Sequence, residues 1–180
     1  MSIKMKELLK LARKAIEAEI DNRDVKVNEE IKKKYKQKQA CFVTLTKNNQ
    51  LRGCIGSLET KLPLWEDIVE NAINAAFNDF RFQPVRKIEL KNIKIEISIL
   101  SQPKRLEYES PQDLLNKINK KMGIILKKDF HQATFLPQVW KQLTNKIGFL
   151  EQLSMKAGLD KDAWKSAEIF YYTVNIKRED

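Results

Sequence analysis

Residues 40–57 read ACFVTLTKNNQLRGCIGS. Phe42, Val43, Thr44, Leu45 and Thr46 alternate apolar and β-branched side chains, the types that fit a half-buried pleated strand. Lys47-Asn48-Asn49-Gln50 follows, and asparagine readily takes the left-handed backbone of a tight hairpin turn. Residues 51–56, LRGCIG, return as a second short run. The spacing predicts a β-hairpin in which residues 40–46 pair antiparallel with 51–56 across Asn48-Asn49.

The return arm is unusual for a strand. Gly53 and Gly56 flank Cys54, and glycine inside a strand marks a place where a backbone or a ligand comes close. With the turn centred on Asn48-Asn49, Cys54 faces Val43 and Arg52 faces Leu45, so Arg52 and Cys54 share one face. An arginine beside a thiol favours the thiolate. Two readings of Cys54 follow: a reactive thiol in a site with little bulk around it, or a small buried side chain in a tightly packed strand.

LRGCIG is preceded by FVTLTK and followed by AAFNDFRF (75–82), IEISIL (95–100), ATFLPQVW (133–140) and KAGL (156–159). In that order these motifs resemble the AMME-complex candidate family, whose prokaryotic members are called AmmeMemoRadiSam system protein A. The resemblance covers nearly the whole chain. It implies a larger lobe with an antiparallel sheet and helices beside it, a smaller α/β lobe, and a cleft between them. The family label links it to Memo-like proteins, which resemble metal-dependent dioxygenases, and to radical S-adenosylmethionine proteins as partners. It names no substrate and no cofactor. Family members carry proline where this chain has Phe80, while Asp79 and Arg81 match, as do Glu96 and Ser98.

The length of 180 residues suits one domain with two sublobes sharing a core. Hydrophobic residues at 42% support a packed interior, and 32% charged residues a solvated surface. No apolar run approaches the roughly 20 residues of a membrane span. The first ten residues lack the apolar core of a signal peptide, so the expected location is cytoplasmic. Cys41 and Cys54 are too few for a disulfide framework or a zinc site; the same hairpin register makes them near-neighbours on one face. The net charge of +10 is compatible with weak, salt-dependent nucleic-acid binding without sequence preference.

The chain otherwise alternates helices and strands. Residues 2–20 read as an amphipathic helix with Ser2 as N-cap. Residues 21–39, with lysines at 32, 33, 34, 36 and 38, read as a solvated connector. A loop over 58–62 leads to Pro63, which opens a helix through Phe77. Ile93, Ile95, Ile97 and Ile99 alternate with Lys94, Glu96 and Ser98, giving a strand with one apolar and one polar face. Leu106 to Tyr108 form a short strand, and Ser110-Pro111 starts a helix. Two strands at 123–126 and 132–136 surround a turn at Lys128-Asp129. A helical segment begins at Pro137. Thr144 caps a helix that Gly158 ends. A last strand spans 169–176. This order predicts an α+β fold with a mostly antiparallel sheet flanked by helices.

His131 is the single histidine, so a cysteine–histidine pair would have to join Cys54 to His131. No phosphate-binding glycine loop, nucleophile elbow or metal-ligand spacing is present. The remaining constellation has Cys54 as the catalytic candidate. Arg52, Gly53, Gly56, Asp79, Arg81, Glu96 and Gln138 are its binding candidates. Two arginines and two carboxylates suit a small polar or anionic ligand, because the guanidinium fork matches carboxylate or phosphate. Three functions stand at this point: binding or processing of such a ligand at the LRGCIG cleft, nucleic-acid binding by the basic surface, or a non-catalytic adaptor.

Overall fold

The computed structural model describes residues 6–59 and 62–179. Ser2, the expected N-cap, and part of the loop at 58–62 lie outside the described residues. In chain order the elements are α1 (Lys6–Ile20), α2 (Glu29–Lys34), β1 (Cys41–Lys47), β2 (Gln50–Gly56), α3 (Leu64–Phe77), β3 (Ile93–Leu100), β4 (Lys104–Arg105), α4 (Pro111–Lys117), β5 (Gly123–Lys128), β6 (His131–Phe135), α5 (Lys146–Lys156), β7 (Glu168–Tyr172) and β8 (Val174–Arg178). Short 3₁₀ turns occupy Lys87–Asn92, Pro137–Lys141 and Lys161–Ser166. The fold is α+β, with two four-stranded sheets ordered β2-β1-β3-β8 and β4-β7-β5-β6.

The first unit holds residues up to 100 and those from 175 onward. The alternation of β1 and β3 sends Cys41, Val43, Leu45, Ile93, Ile95 and Ile97 to one face, all buried. Leu8, Leu11, Ala12, Ala15 and Ile16 of α1 join them in the core, with Ile68, Ala72, Ala75 and Ala76 of α3. The small residues at 72, 75 and 76 let α3 come close to the sheet. The solvated connector expected at 21–39 contains α2, capped by Asn28, whose Oδ1 accepts the Glu30 N–H. Two of its lysines are committed: Lys32 pairs with Glu29, and Lys34 with Glu7.

The hairpin forms as read, β1 antiparallel to β2 around Asn48 and Asn49, both at positive φ. Its register does not. The ladder shifts between Leu45 and Thr46, so Gly53 faces Leu45, Cys54 faces Thr44 and Ile55 faces Val43. Arg52 is the extra residue of a β-bulge. The uninterrupted register would set Arg52 opposite Leu45, a core residue, and bury a guanidinium under α3. The bulge places Gly53 there instead and frees Arg52 to leave the sheet. It also separates the cysteines: Cys41 lies on the core face and Cys54, opposite Thr44, on the other.

The second unit holds residues 101–174. Its core gathers Leu114, Ile118, Ile124, Leu126, Trp140, Phe149, Leu153 and Trp164. Trp140 stacks on Phe149 with ring centroids 3.6 Å apart and donates its indole N–H to the Met122 carbonyl. Ser110 caps α4 as read, accepting the Asp113 N–H. Asn145, not Thr144, caps α5, its Oδ1 accepting from Ile147 and Gly148. Gly158 at φ +76° follows the end of that helix as expected. Leu106 to Tyr108 do not form the expected strand; the strand there is β4, paired with β7, and the Leu106 N–H carries that pairing one residue further, to the Ile169 carbonyl at 2.8 Å. The turn between β5 and β6 falls at Asp129-Phe130, one residue beyond the expected place.

The expected strand at 169–176 is two strands. β7 joins the second sheet and β8 the first. Between them Thr173 leaves the ladder and exchanges hydrogen bonds with Ser101, N–H to Oγ at 3.0 Å and carbonyl from N–H at 2.9 Å. No helix among the described residues is long and apolar enough to cross a membrane.

Candidate functional site

β2 is an edge strand, so half of its backbone groups face away from β1. At Cys54 those groups are taken by side chains. The N–H donates to Asp79 Oδ2 at 2.9 Å, and Arg81 Nη2 donates to the carbonyl at 3.1 Å. Asp79 and Arg81 hold each other in a two-pronged pair, Nε to Oδ1 at 2.9 Å and Nη2 to Oδ2 at 2.7 Å. They reach this position because α3 stops at Phe77 and the chain turns sharply: Phe82 N–H bonds to the Asp79 carbonyl and Val85 N–H to the Ala76 carbonyl. Asp79 is buried, and the guanidinium bound to it holds its carboxyl well below the usual range.

Released by the bulge, Arg52 runs to Glu89 in the 3₁₀ turn before β3. Its Nε meets Oε1 at 3.2 Å and its Nη2 meets Oε2 at 3.1 Å; Nη2 also donates to the Pro84 carbonyl at 3.4 Å. Lys47 and the Arg86 N–H complete the shell of Glu89 at 2.8 and 3.0 Å. Glu89 is buried; the hydrogen bonds from Arg52 and Lys47 push its carboxyl down to about 2. Arg52 Nη1 is buried and has no hydrogen-bond partner among the described residues.

These groups border an open depression of about 750 Å³, lined by Arg52, Arg81, Arg86 and Glu89 with Phe82 and Pro84. Three cations face one carboxylate on this wall. Arg86, its side chain 80% exposed, stands 4.0 Å from Glu89. Arg81 is 44% exposed.

The glycines of LRGCIG serve the fold. A Cβ on Gly53 would lie 2.0 Å from the Ala75 carbonyl oxygen, and one on Gly56 2.5 Å from Phe42 Cγ. The chain itself fills the space that the sequence reading reserved for a ligand. Nor does Arg52 activate Cys54, since its guanidinium is turned to Glu89. The Cys54 thiol sits 3.1 Å from Thr44 Oγ1. Burial raises its pKa, against weaker lowering by the Thr44 hydrogen bond and the Arg81 charge.

Glu96 and Ser98 lie on the Thr44 side of the sheet, Glu96 cross-strand from Thr44 itself. Both are buried rather than on a wet face; Glu96 pairs with Arg178. Neither lines the depression. Gln138 belongs to the second unit, in the 3₁₀ turn Pro137–Lys141. His131 is there too, its Nδ1 donating to the Ala157 carbonyl at the end of α5. The structure therefore gathers Arg52, Cys54, Asp79 and Arg81 around the free edge of β2. Glu89 and Arg86 escape the sequence reading, although the three-residue spacing that lets Glu89 bind the Arg86 N–H resembles a helix-start box. Among the described residues no group of three or more His, Cys, Asp or Glu side chains is placed to hold a metal ion.

The family model AMMECR1 matches residues 9–177. A protein from Nanoarchaeum equitans is 38% identical over 178 residues, covering 96% of this chain and 99% of its own. One from Methanosarcina mazei is 39% identical over 178 residues, with 95% and 89% covered. The crystal structure of an uncharacterised protein from Pyrococcus horikoshii superposes with a TM-score of 0.87 at 32% identity, covering 97% of this chain and 90% of that one.

Proposed function

Because the chain belongs to the AMMECR1 family, a membership that names no reaction, we propose that it binds the anionic head of a small organic ligand in the depression of the first unit. The observation that carries this reading is Arg52, a residue of the depression's wall whose buried Nη1 has no hydrogen-bond partner among the described residues. A buried polar group left unpaired costs about 1–3 kcal/mol, more for a charged one, and an anion placed against it recovers that cost. Arg86 supplies an exposed second cation at the rim, and Arg81 a third already oriented by Asp79. Glu89 orients Arg52 and lowers the net positive charge of the wall.

This is a binding role, with no activated nucleophile behind it. Burial keeps the Cys54 thiol protonated at neutral pH, and Cys54 does not line the depression. Such a protein fits a component of a small pathway beside Memo-like and radical S-adenosylmethionine proteins, the partners that the family resemblance implies.

The test is an NMR titration of the full chain with inorganic phosphate at low ionic strength. A saturable shift of the amide signals at 81–89 is expected. Arg52→Lys, which keeps the charge but removes the guanidinium fork, should weaken the binding about tenfold, and Arg86→Ala several-fold. Absence of saturable shifts, or affinity unchanged in Arg52→Lys, overturns the reading.

A further inference from the structure

The anion accounts for only half of the depression's wall. The other half carries Phe82 and Pro84 with Gln83 between them, and the Arg81 guanidinium lies over the Phe82 ring, 5.5 Å from its centroid. A guanidinium beside an aromatic ring gives the wall a mixed cationic and apolar surface that suits a planar group.

The cations also limit how much charge the site accepts. The Nε and Nη2 of Arg52 are bound by Glu89, and those of Arg81 by Asp79. Arg52 Nη1, Arg81 Nη1 and the Arg86 guanidinium are the groups left over for a ligand. They suffice for one anionic group. A longer polyanion would lie against the Glu89 carboxylate, which its low pKa keeps charged.

We propose that the ligand is a small organic anion, with a single phosphomonoester or carboxylate head on a planar apolar body that lies along Phe82, Pro84 and Arg81. The head meets the guanidinium groups of Arg52 and Arg86, and the ring replaces water on the apolar wall. This rests on the anion reading above and adds the ligand's class to it.

Four probes separate the possibilities in titrations of the full chain: inorganic phosphate, pyrophosphate, phenyl phosphate and benzoate. Phenyl phosphate, benzoate or both should bind about tenfold tighter than inorganic phosphate, the size of one ring-stacking contact. Whichever of the two binds tighter identifies the head. Pyrophosphate should gain nothing over phosphate. In Phe82→Leu, with its fold checked by amide spectra, the advantage of the ring should vanish while phosphate binding stays. Should that variant not fold, nuclear Overhauser contacts in the unmodified protein between the probe's ring protons and Phe82 decide. Aromatic probes no tighter than phosphate, pyrophosphate as the tightest probe, or rings without contact to Phe82 overturn the inference and leave the anion reading standing. If none of the four binds, both fall.

Discussion

Asp79 and Arg81, two positions apart in the chain, close the edge of β2 as a neighbouring strand would: the carboxylate takes the Cys54 N–H and the guanidinium the Cys54 carbonyl. Edge strands that keep such groups open are templates for pairing with another chain.

Removing Arg81 leaves a buried carboxylate with its strongest partner gone. Arg81→Ala should cost about 2 kcal/mol at pH 7, below the range for fully buried pairs because Arg81 is partly solvated. The sign of the pH dependence follows from the depressed carboxyl of Asp79. Its contribution is present above the unfolded pKa and lost as pH falls toward the folded one. Urea unfolding should therefore show variant and wild type converging in acid. The double variant Asp79→Ala/Arg81→Ala also opens the edge and should self-associate with concentration in light scattering; a monomer at all concentrations would sink the edge-closure argument.

Glu89 gives a second pH signature. Its carboxyl is pushed from 4.5 down to about 2, so the stabilisation is full above pH 4.5 and disappears as pH falls toward 2. Glu89→Gln keeps the shape and loses the charge. The expected loss is about 2 kcal/mol at pH 7, discounted for the partly exposed Lys47, and it should shrink by pH 3. Denaturant midpoints at pH 7, 4 and 3 measure it. A gap independent of pH would mean that Arg52 and Lys47 do not depend on the Glu89 charge.

Arg13 of α1 ties the first unit together across 166 positions. It donates to Glu179 (Nε to Oε1, 2.7 Å) and to the carbonyls of Leu90 and Ile93. Glu179 in turn accepts the Ile95 N–H and donates its own N–H to the Ile95 carbonyl. Glu179→Ala should cost about 1–2 kcal/mol and Arg13→Ala more, since the latter strands two carbonyls as well. A double-mutant cycle should return a coupling above ~0.5 kcal/mol; additive losses would show that the pair is ornamental to stability.

What residues 40–57 disclose is local. β-Branched alternation and Asn48-Asn49 suffice for the hairpin because turn and strand preferences depend on neighbours in the chain. The bulge depends on distant partners: Ala75, whose carbonyl needs Gly53 beneath it, and Glu89, which draws Arg52 out. Neither is visible in LRGCIG, and a one-residue shift reverses every side chain beyond it. Asp79 and Arg81 are legible as a charged pair, but their hold on the Cys54 backbone is not, since it follows from β2 being an edge. The strand at 169–176 reads as one because nothing local breaks its pattern; the exchange between Thr173 and Ser101 that divides it is a long-range contact. Buried Glu96 and Ser98 mislead for the same reason, since alternation alone assigns them to water.

The two thiols should prove unreactive, and in a definite order. Cys41 lies on the core face with no exposure, its N–H bound to Asp67 Oδ2 at 2.9 Å and its carbonyl to the Asn71 amide at 3.3 Å. Burial, reinforced by the Asp67 charge, pushes its thiol well above the ordinary value. Cys54 is half-buried and raised by burial, with Thr44 and Arg81 pulling it partly back. Alkylation at pH 7 should label Cys54 more slowly than an unstructured cysteine, and Cys41 only through unfolding, because the thiolate is the reacting species. Raising the pH to 9.5 should accelerate Cys54 strongly. Thr44→Val removes a hydrogen-bond donor from the thiolate and should slow Cys54 at neutral pH while leaving Cys41 unchanged. Oxidation should not join the two cysteines, which project from opposite faces of the hairpin and so miss disulfide geometry. The comparison uses Cys41→Ala and Cys54→Ala under mass spectrometry. Labelling of Cys54 at pH 7 faster than an unstructured peptide thiol would restore the nucleophile that the geometry denies, and would move the chemistry from the arginine-lined depression to the face shared by Cys54, Thr44 and Glu96.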